Sequence, residues 1–461
     1  MRRRVCVMGA CVLVLGAAAC GDNLVPPVTA PPSLPWQSGA RLRAEVADAG
    51  GGAVQFLGWR DTALDVDCTF EHASDGVLRC LPTPPLTFVV YGDPACTRPI
   101  VISFTFGGCD RPVYAVERRR SDGCDGRVGG VYTIGAVRPP GRIYLAEPGS
   151  CTPLDFAFDT YEVARSVAPE EFVAATERAF AHAGGVVAHV ATASDGARQV
   201  IGLTDPGGAT CAPFRFPGDG GEVCVGDVVY AIPDTFIDET CSTPAPVVAA
   251  TCAPAPAIGV DSAGEVHRIG AALADQVYSS VSSCGPTSGL RAWSLGPVVG
   301  AEAFPPLATV ALGTGALRAS WASDVEGAPL VPLGIVDSAT DVACWTMREV
   351  GASDAAPRRC LPVDVPFGEV TEVYADAACA GPPVEVVSAS KVGATRVALR
   401  GDSVCSELTL ARLVDVRPHT GVRYARDGSG GCTELAASDR VYDVVADVPP
   451  ASLPAIDVRV E

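Results

Sequence analysis

The chain has 461 residues, 34 of them basic and 53 acidic, for a formal net charge of −19. So acidic a chain lacks the basic face that releases counterions from phosphate, which excludes nucleic acid as a partner. With Gly 49 and Pro 39, few aromatics and long valine-rich runs, the composition also excludes a helical bundle and favours many short strands joined by turns.

The first element in chain order is MRRRVCVMGACVLVLGAAACGDN. Arg2, Arg3 and Arg4 precede an apolar run over 5–19, too short for an ordinary membrane-spanning helix and suited to a signal peptide over 1–19. Its end, Ala17-Ala18-Ala19-Cys20, resembles the lipobox of bacterial lipoproteins, with Ala17 where that family usually has Leu. The resemblance implies cleavage before Cys20, lipid attachment to its sulfur, and durable anchoring, because several acyl chains hold where one is marginal. Gly21 after the cysteine implies outer-membrane sorting, so the expected location is the bacterial envelope, on its periplasmic or surface face. Residues 20–40 follow as lipidated Cys and linker, where LVPPVTAPPSLPW (24–36) carries five prolines and no charge and predicts an extended stalk.

Of 19 cysteines, two lie in the signal and one is Cys20, leaving 19 − 3 = 16, an even number that reads as disulfides in an exported chain. There is no CxxC, no HExxH, and only five histidines, His72, His182, His189, His267 and His419, so neither a metal nor a cofactor is expected.

The rest of the chain is written three times. GWRDTALDVDC (58–68), GLTDPGGATC (202–211) and GIVDSATDVAC (334–344) share Gly, two residues, Asp, then Cys. A second cysteine follows in RCLP (79–82), VCVG (223–226) and RCLP (359–362). Next come YGDPACTRP (91–99), FIDETCSTP (236–244) and YADAACAGP (374–382), then a Tyr six to eight residues before Cys151, Cys284 and Cys432. Last, YEVARSVAPEEF (161–172), WSLGPVVGAEAF (293–304) and YDVVADVPPASL (442–453) align without gaps. Five ordered landmarks at matched spacing define repeats over 41–185, 186–315 and 316–461.

Strands are predicted at LTFVVYGD, PIVISFTF and RVALRGDSV, and a short helix over 169–180 beginning at Pro169. YGDPACTRP is echoed by YLAEPGSCTP (144–153), which suggests two half-units per repeat. The expected fold is therefore an all-β repeat architecture, a β-propeller of about six blades, with three tandem β-sandwich domains as the alternative.

Hairpin bridges are expected at Cys68 with Cys80, Cys211 with Cys224 and Cys344 with Cys360; the remaining pairings stay open, and Cys124 has no counterpart in the other copies. Asp93, Asp238 and Asp376 are expected to cap turns, the alternative being calcium. No catalytic residue is singled out. Arg118, Arg119, Arg120 and Arg127 around Asp122, Cys124 and Asp125 occur in one copy only and form a candidate anion-binding cluster.

Through CGDN after the signal, the RCLP tetrads and the aromatic-x-Asp-x-x-Cys stretches, the chain resembles repeat-containing, cysteine-rich surface lipoproteins of unknown function from myxobacteria. The reading is a membrane-anchored, non-enzymatic envelope module, with the lipid bilayer and a glycan or envelope protein as partners. A carbohydrate-active hydrolase or lyase on a propeller is the alternative.

Overall fold

In the computed structural model the described residues run from 34 onward, except 85–86, 104–111, 122–124, 140, 148–149, 155–158, 217–220, 227, 233–234, 251–257, 262–263, 275, 280–283, 288–289, 351, 354–355, 390, 401–408, 427–430, 436–437 and 439. The side chains of 119–121, 125–127, 230 and 249–250 lie outside the description as well. Cys20, Cys109, Cys124, Cys252 and Cys405 therefore fall outside the described residues.

Alternation sets the first strand. In Leu42–Asp48 the residues Leu42, Ala44 and Val46 are fully buried, the period-2 pattern of a strand with one face on a core. It forms a hairpin with Val54–Asp61, and the register slips between Glu45 and Val46, where the partner skips from Gly58 to Phe56. The same slip recurs opposite Gly202 and Gly334 in the hairpins of Val187–Ala193 with Arg198–Thr204 and of Leu317–Ser323 with Pro329–Asp337. The glycine of the repeated Gly-x-x-Asp phrase thus stands at a β-bulge.

The aspartate of that phrase closes the strand and caps the next turn. Asp61 Oδ1 accepts from the N–H of Ala63 and Leu64, Asp205 Oδ1 from Ala209 and Asp337 Oδ1 from Ala339. A disulfide-bridged hairpin follows: Val66–His72 with Leu78–Pro82, Thr210–Arg215 with Glu222–Val225, Val342–Glu349 with Arg358–Pro362. The bridges are Cys68–Cys80, Cys211–Cys224 and Cys344–Cys360.

These units join edge to edge. Leu78–Pro82 pairs with Ala174–Ala181, Glu222–Val225 with Pro306–Leu312, and Arg358–Pro362 with Ala455–Val460. Ala455–Val460 also pairs with Leu42–Asp48, with Glu45 opposite Val460 and Asp48 opposite Asp457. Every remaining neighbour pair is antiparallel too, so fifteen strands, five from each copy, close one continuous ring ladder.

The ring strands bury several hydrophobic clusters, and one of them draws on all three copies. Trp36, Leu42, Ala44, Val46 and Trp59 meet Val173 and Ala175 from the end of the first copy, Ala191 and Ala193 from the second and Ala319 and Trp321 from the third. Trp36, at the end of the proline-rich stretch, pairs with Gln199 and stacks on Trp321 with ring centroids 5.3 Å apart. Trp59 donates its indole N–H to Gln199 Oε1 at 2.6 Å, a bond between neighbouring copies. Shared core and shared ladder make the copies interdependent, unlike three tandem sandwiches.

Between the fourth and fifth ring strands of each copy, the chain leaves to build a satellite sheet. The first contains Thr87–Tyr91, Pro99–Ser103, Tyr114–Ser121, Asp125–Val137 and Asp159–Val167 plus the hairpin of Ile143–Glu147 with Ser150–Leu154. In the third copy Phe367–Val373, Val384–Ala389, Val441–Val448, Thr409–Pro418 and Arg396–Arg400 close on themselves, the last pair parallel. Among the described residues, the expected strands at LTFVVYGD, PIVISFTF and RVALRGDSV form Thr87–Tyr91, Pro99–Ser103 and Arg396–Arg400 of these sheets.

Two expectations change here. The half-unit echo does not separate two blades: Tyr91 and Tyr144 are direct partners on adjacent strands of one sheet, and a propeller closed blade by blade is not seen among the described residues. The predicted helix over 169–180 is a single 3-10 turn, Pro169–Glu171, followed by the strand Ala174–Ala181. Ala301–Ala303 and Pro450–Ser452 make the same turn in the other copies, and each is followed by a ring strand. Pairing with Val187–Ala193 over seven residues supplies the strand with hydrogen bonds that outweigh the weak local helix preference.

Candidate functional site

The aromatic-x-Asp-x-x-Cys stretches resolve into one turn built three times. Asp93 accepts from the N–H of Ala95, Thr97 and Arg98; Asp238 from Thr240, Ser242 and Thr243; Asp376 from Ala378, Ala380 and Gly381. The cysteine N–H of each returns to the aspartate carbonyl at 3.1 Å. Cys96, Cys241 and Cys379 have φ of 51°, 51° and 48°, a left-handed conformation that costs a side-chain-bearing residue about 1–2 kcal/mol and needs such a web of bonds to hold it. Each cysteine then bridges to the one after the second tyrosine: Cys96–Cys151, Cys241–Cys284 and Cys379–Cys432. The aromatics that open the stretches, Tyr91, Phe236 and Tyr374, are half-buried at strand ends.

These carboxylates are occupied by turn N–H groups, which favours the capping role over calcium. They titrate low for that reason: the Thr240 hydroxyl and then the N–H groups of Ser242 and Thr243 hold Asp238 well below the ordinary range, and the N–H groups of Ala380 and Gly381 lower Asp376. For Asp93, partial desolvation pushes upward but the N–H groups of Arg98, Ala95 and Thr97 outweigh it. A folded pKa below the unfolded one contributes stability that is present above the unfolded value and lost as pH falls toward the folded value. Urea unfolding is therefore expected to give equal stability at pH 7 and 5 and a decline once pH drops below 3.8, the ordinary aspartate value. A Tyr or Lys transition at alkaline pH with no acid decline would refute the role of the caps.

The arginine cluster does not stand free. Arg118 gives two parallel bonds, 2.6 and 2.8 Å, to Glu71 on the ring strand Val66–His72 and so ties the first satellite to the ring. Its guanidinium pKa is raised, chiefly by that bonded carboxylate. Arg119 and Arg127 are direct partners in the hairpin register; their side chains, that of Arg120, and Cys124 lie outside the described residues.

A different position distinguishes the copies. Counting from the gap-free alignment of 161, 293 and 442, the partners of Ser166, Val298 and Asp447 across their ladders are Tyr132, His267 and Val414. On the neighbouring strand these face Ala115, Gly259 and Val397, and two residues farther on stand Glu117, Asp261 and Leu399. One geometric site thus carries three chemistries. The third copy is apolar there, with Val414 fully buried and Leu399 5% exposed. The first holds a buried carboxylate, Glu117, which accepts from the hydroxyls of Tyr91 and Tyr132 at 2.7 and 2.9 Å.

The second copy holds a His and two carboxylates. Ile258–Val260 and Val266–Ala274 form a hairpin whose register, Gly259 opposite His267 and Val260 opposite Val266, puts Asp261, Glu265 and His267 on one face at its tip. Asp261 Oδ1 accepts from the Glu265 N–H at 2.8 Å, which fixes the turn and leaves Oδ2 3.4 Å from His267 Nε2. A Glu265 carboxylate oxygen lies 4.0 Å from the same nitrogen. His267 Nδ1 lies 3.0 Å from the Gly296 carbonyl, which can only accept, so Nδ1 carries a proton. Nε2 itself is buried and has no hydrogen-bond partner. Sequence reasoning passed over this trio because it matches no familiar motif; the available signal was D-x3-E-x-H around an Ala-Gly turn, present in one copy.

Residues 13–213 match the model of a family of unknown function (DUF7481). That stretch covers the first copy and the opening ring strands of the second, under half of the chain. No curated protein and no solved structure matches the chain.

Proposed function

We propose that the chain is a membrane-anchored, disulfide-stapled β-repeat lipoprotein that serves the bacterial envelope as a non-enzymatic binding or structural module. One observation carries the reading: each residue type that recurs in all three copies has a structural task. The glycines stand at bulges, the aspartates cap turns, and the cysteines bridge hairpins or hold left-handed turns. A chain that repeats its scaffold and varies the positions between is organised as a platform. Six bridges among the described residues suit an oxidising compartment. Trp36, buried at the end of the proline-rich stretch, supports the tether, because a stalk rooted in the central core transmits the position of the anchor to the whole body.

The test is membrane fractionation and fatty-acid labelling of the full chain beside Cys20→Ser, followed by a glycan array with turnover assayed on every hit. The expected result is a labelled, membrane-bound protein, an unlabelled released variant, and binding without turnover. An unlabelled wild type would remove the anchor, and turnover of any bound glycan would remove the non-enzymatic assignment.

A further inference from the structure

We propose that Asp261, Glu265 and His267 form a site for a divalent first-row transition cation, with Zn2+ as its reference occupant. The three side chains each offer a ligand atom, and these atoms all lie within 4.8 Å of one another. Zinc bonds of about 2.0–2.2 Å to nitrogen and carboxylate oxygen would draw the set together by roughly an ångström. The Glu265 side chain is 63% exposed and can make that movement, and it also leaves an approach from solvent.

The chemistry of His267 is the independent observation. With Nδ1 held on the Gly296 carbonyl, the ring turns Nε2 toward Asp261 and Glu265. Nε2 has no hydrogen-bond partner and faces two carboxylates, an arrangement that a cation lying between them would satisfy. A backbone carbonyl that holds the far nitrogen is the usual way proteins orient an imidazole ligand. The other copies support the reading by contrast: at the same register, Glu117 accepts from two tyrosine hydroxyls and Leu399 with Val414 is apolar, so neither presents an imidazole beside two carboxylates. One imidazole with two carboxylates suits Zn2+ or Mn2+ better than Ca2+, which takes six to eight oxygens. Three protein ligands leave a further coordination position for water or for a donor from a partner.

The site deepens no part of the envelope assignment and is tested apart from it. The full chain in detergent, stripped with EDTA, is titrated with Zn2+ against a chromophoric chelator. One equivalent is expected to bind, with affinity reduced at least about 100-fold in His267→Gln and at least about tenfold in Glu265→Gln, since losing a direct ligand costs no less than the roughly 10–100-fold that losing a ligand's supporting partner costs. Asp261 is left unchanged because it also caps the turn. Circular dichroism establishes that His267→Gln is folded; should it not be, the exposed Glu265→Gln carries the comparison. No stoichiometric binding, binding that both variants leave intact, or Ca2+ bound as tightly as Zn2+ would each overturn the assignment.

Discussion

Ending the chain before Ala455 is expected to abolish cooperative unfolding and drive the protein into aggregates. The seven residues lost include the strand Ala455–Val460, which lies between Leu42–Asp48 and Arg358–Pro362 and completes the ring. Its removal would unpair Glu45–Asp48 on one side and Arg358 and Arg359 on the other, two edges able to pair with another chain. It would also open the cluster in which fully buried Ile456 packs with Ala47, Leu317, Ile335 and Cys360, residues from the first and third copies. A graded version separates closure from contact. Ile456→Ala keeps the backbone ladder and is expected to cost about 2–5 kcal/mol in urea denaturation, as large-to-small core changes do. The truncation should go further, since net stabilities are only about 5–15 kcal/mol. A truncated chain that still unfolds in one sharp transition would show that the ring does not depend on its closing strand.

Trp321→Ala is expected to lower stability by about 3–5 kcal/mol. Trp321 is fully buried at the meeting point of the copies, where the equivalent residue of the first copy is Val46, and it supports the Trp36 ring. Removing it leaves a cavity bordered by small residues such as Ala44, Ala191 and Ala319, which cannot swing in to fill it. Trp321→Phe is expected to cost much less, because the indole N–H has no hydrogen-bond partner to lose. Denaturation of both variants beside wild type checks the order. Equal losses would mean that ring size at this point matters little and that the core closes around a gap.

Much of the local structure was legible from short phrases. The Gly58-x-x-Asp61 phrase stood out only as a repeated landmark, whereas turn caps elsewhere could be read because a short carboxylate reaches N–H groups within a few residues. The Asp93, Asp238 and Asp376 turns were legible on the same ground, and so were the hairpin bridges, whose cysteines are 12, 13 and 16 residues apart. Cys96 with Cys151 was not, since 55 intervening positions leave several partners open and only the sheet that pairs Tyr91 with Tyr144 selects one. The stretch Pro169 to Phe180 misled because a helix start and a strand that closes a ring begin with the same residues, and the hydrogen bonds that decide belong to other segments.

The cation site marks the same boundary. Asp261, Glu265 and His267 are within seven positions, yet nothing in their spacing tells that Nδ1 meets the carbonyl of Gly296, a residue 29 positions away, or that Nε2 is left buried without a donor. By itself the sequence determined the all-β class, the threefold repetition and the stapled, capped turns, because alternation, glycine and short-range capping act through neighbours in the chain. Only the tertiary structure decided that Glu45 lies opposite Val460, that the copies share one ring of strands and a common core cluster, and that equivalent positions carry a Tyr–Glu pair, a His–carboxylate trio and an apolar contact. Those outcomes depend on which distant strands meet, and a strand's own residues specify its faces without naming its neighbour.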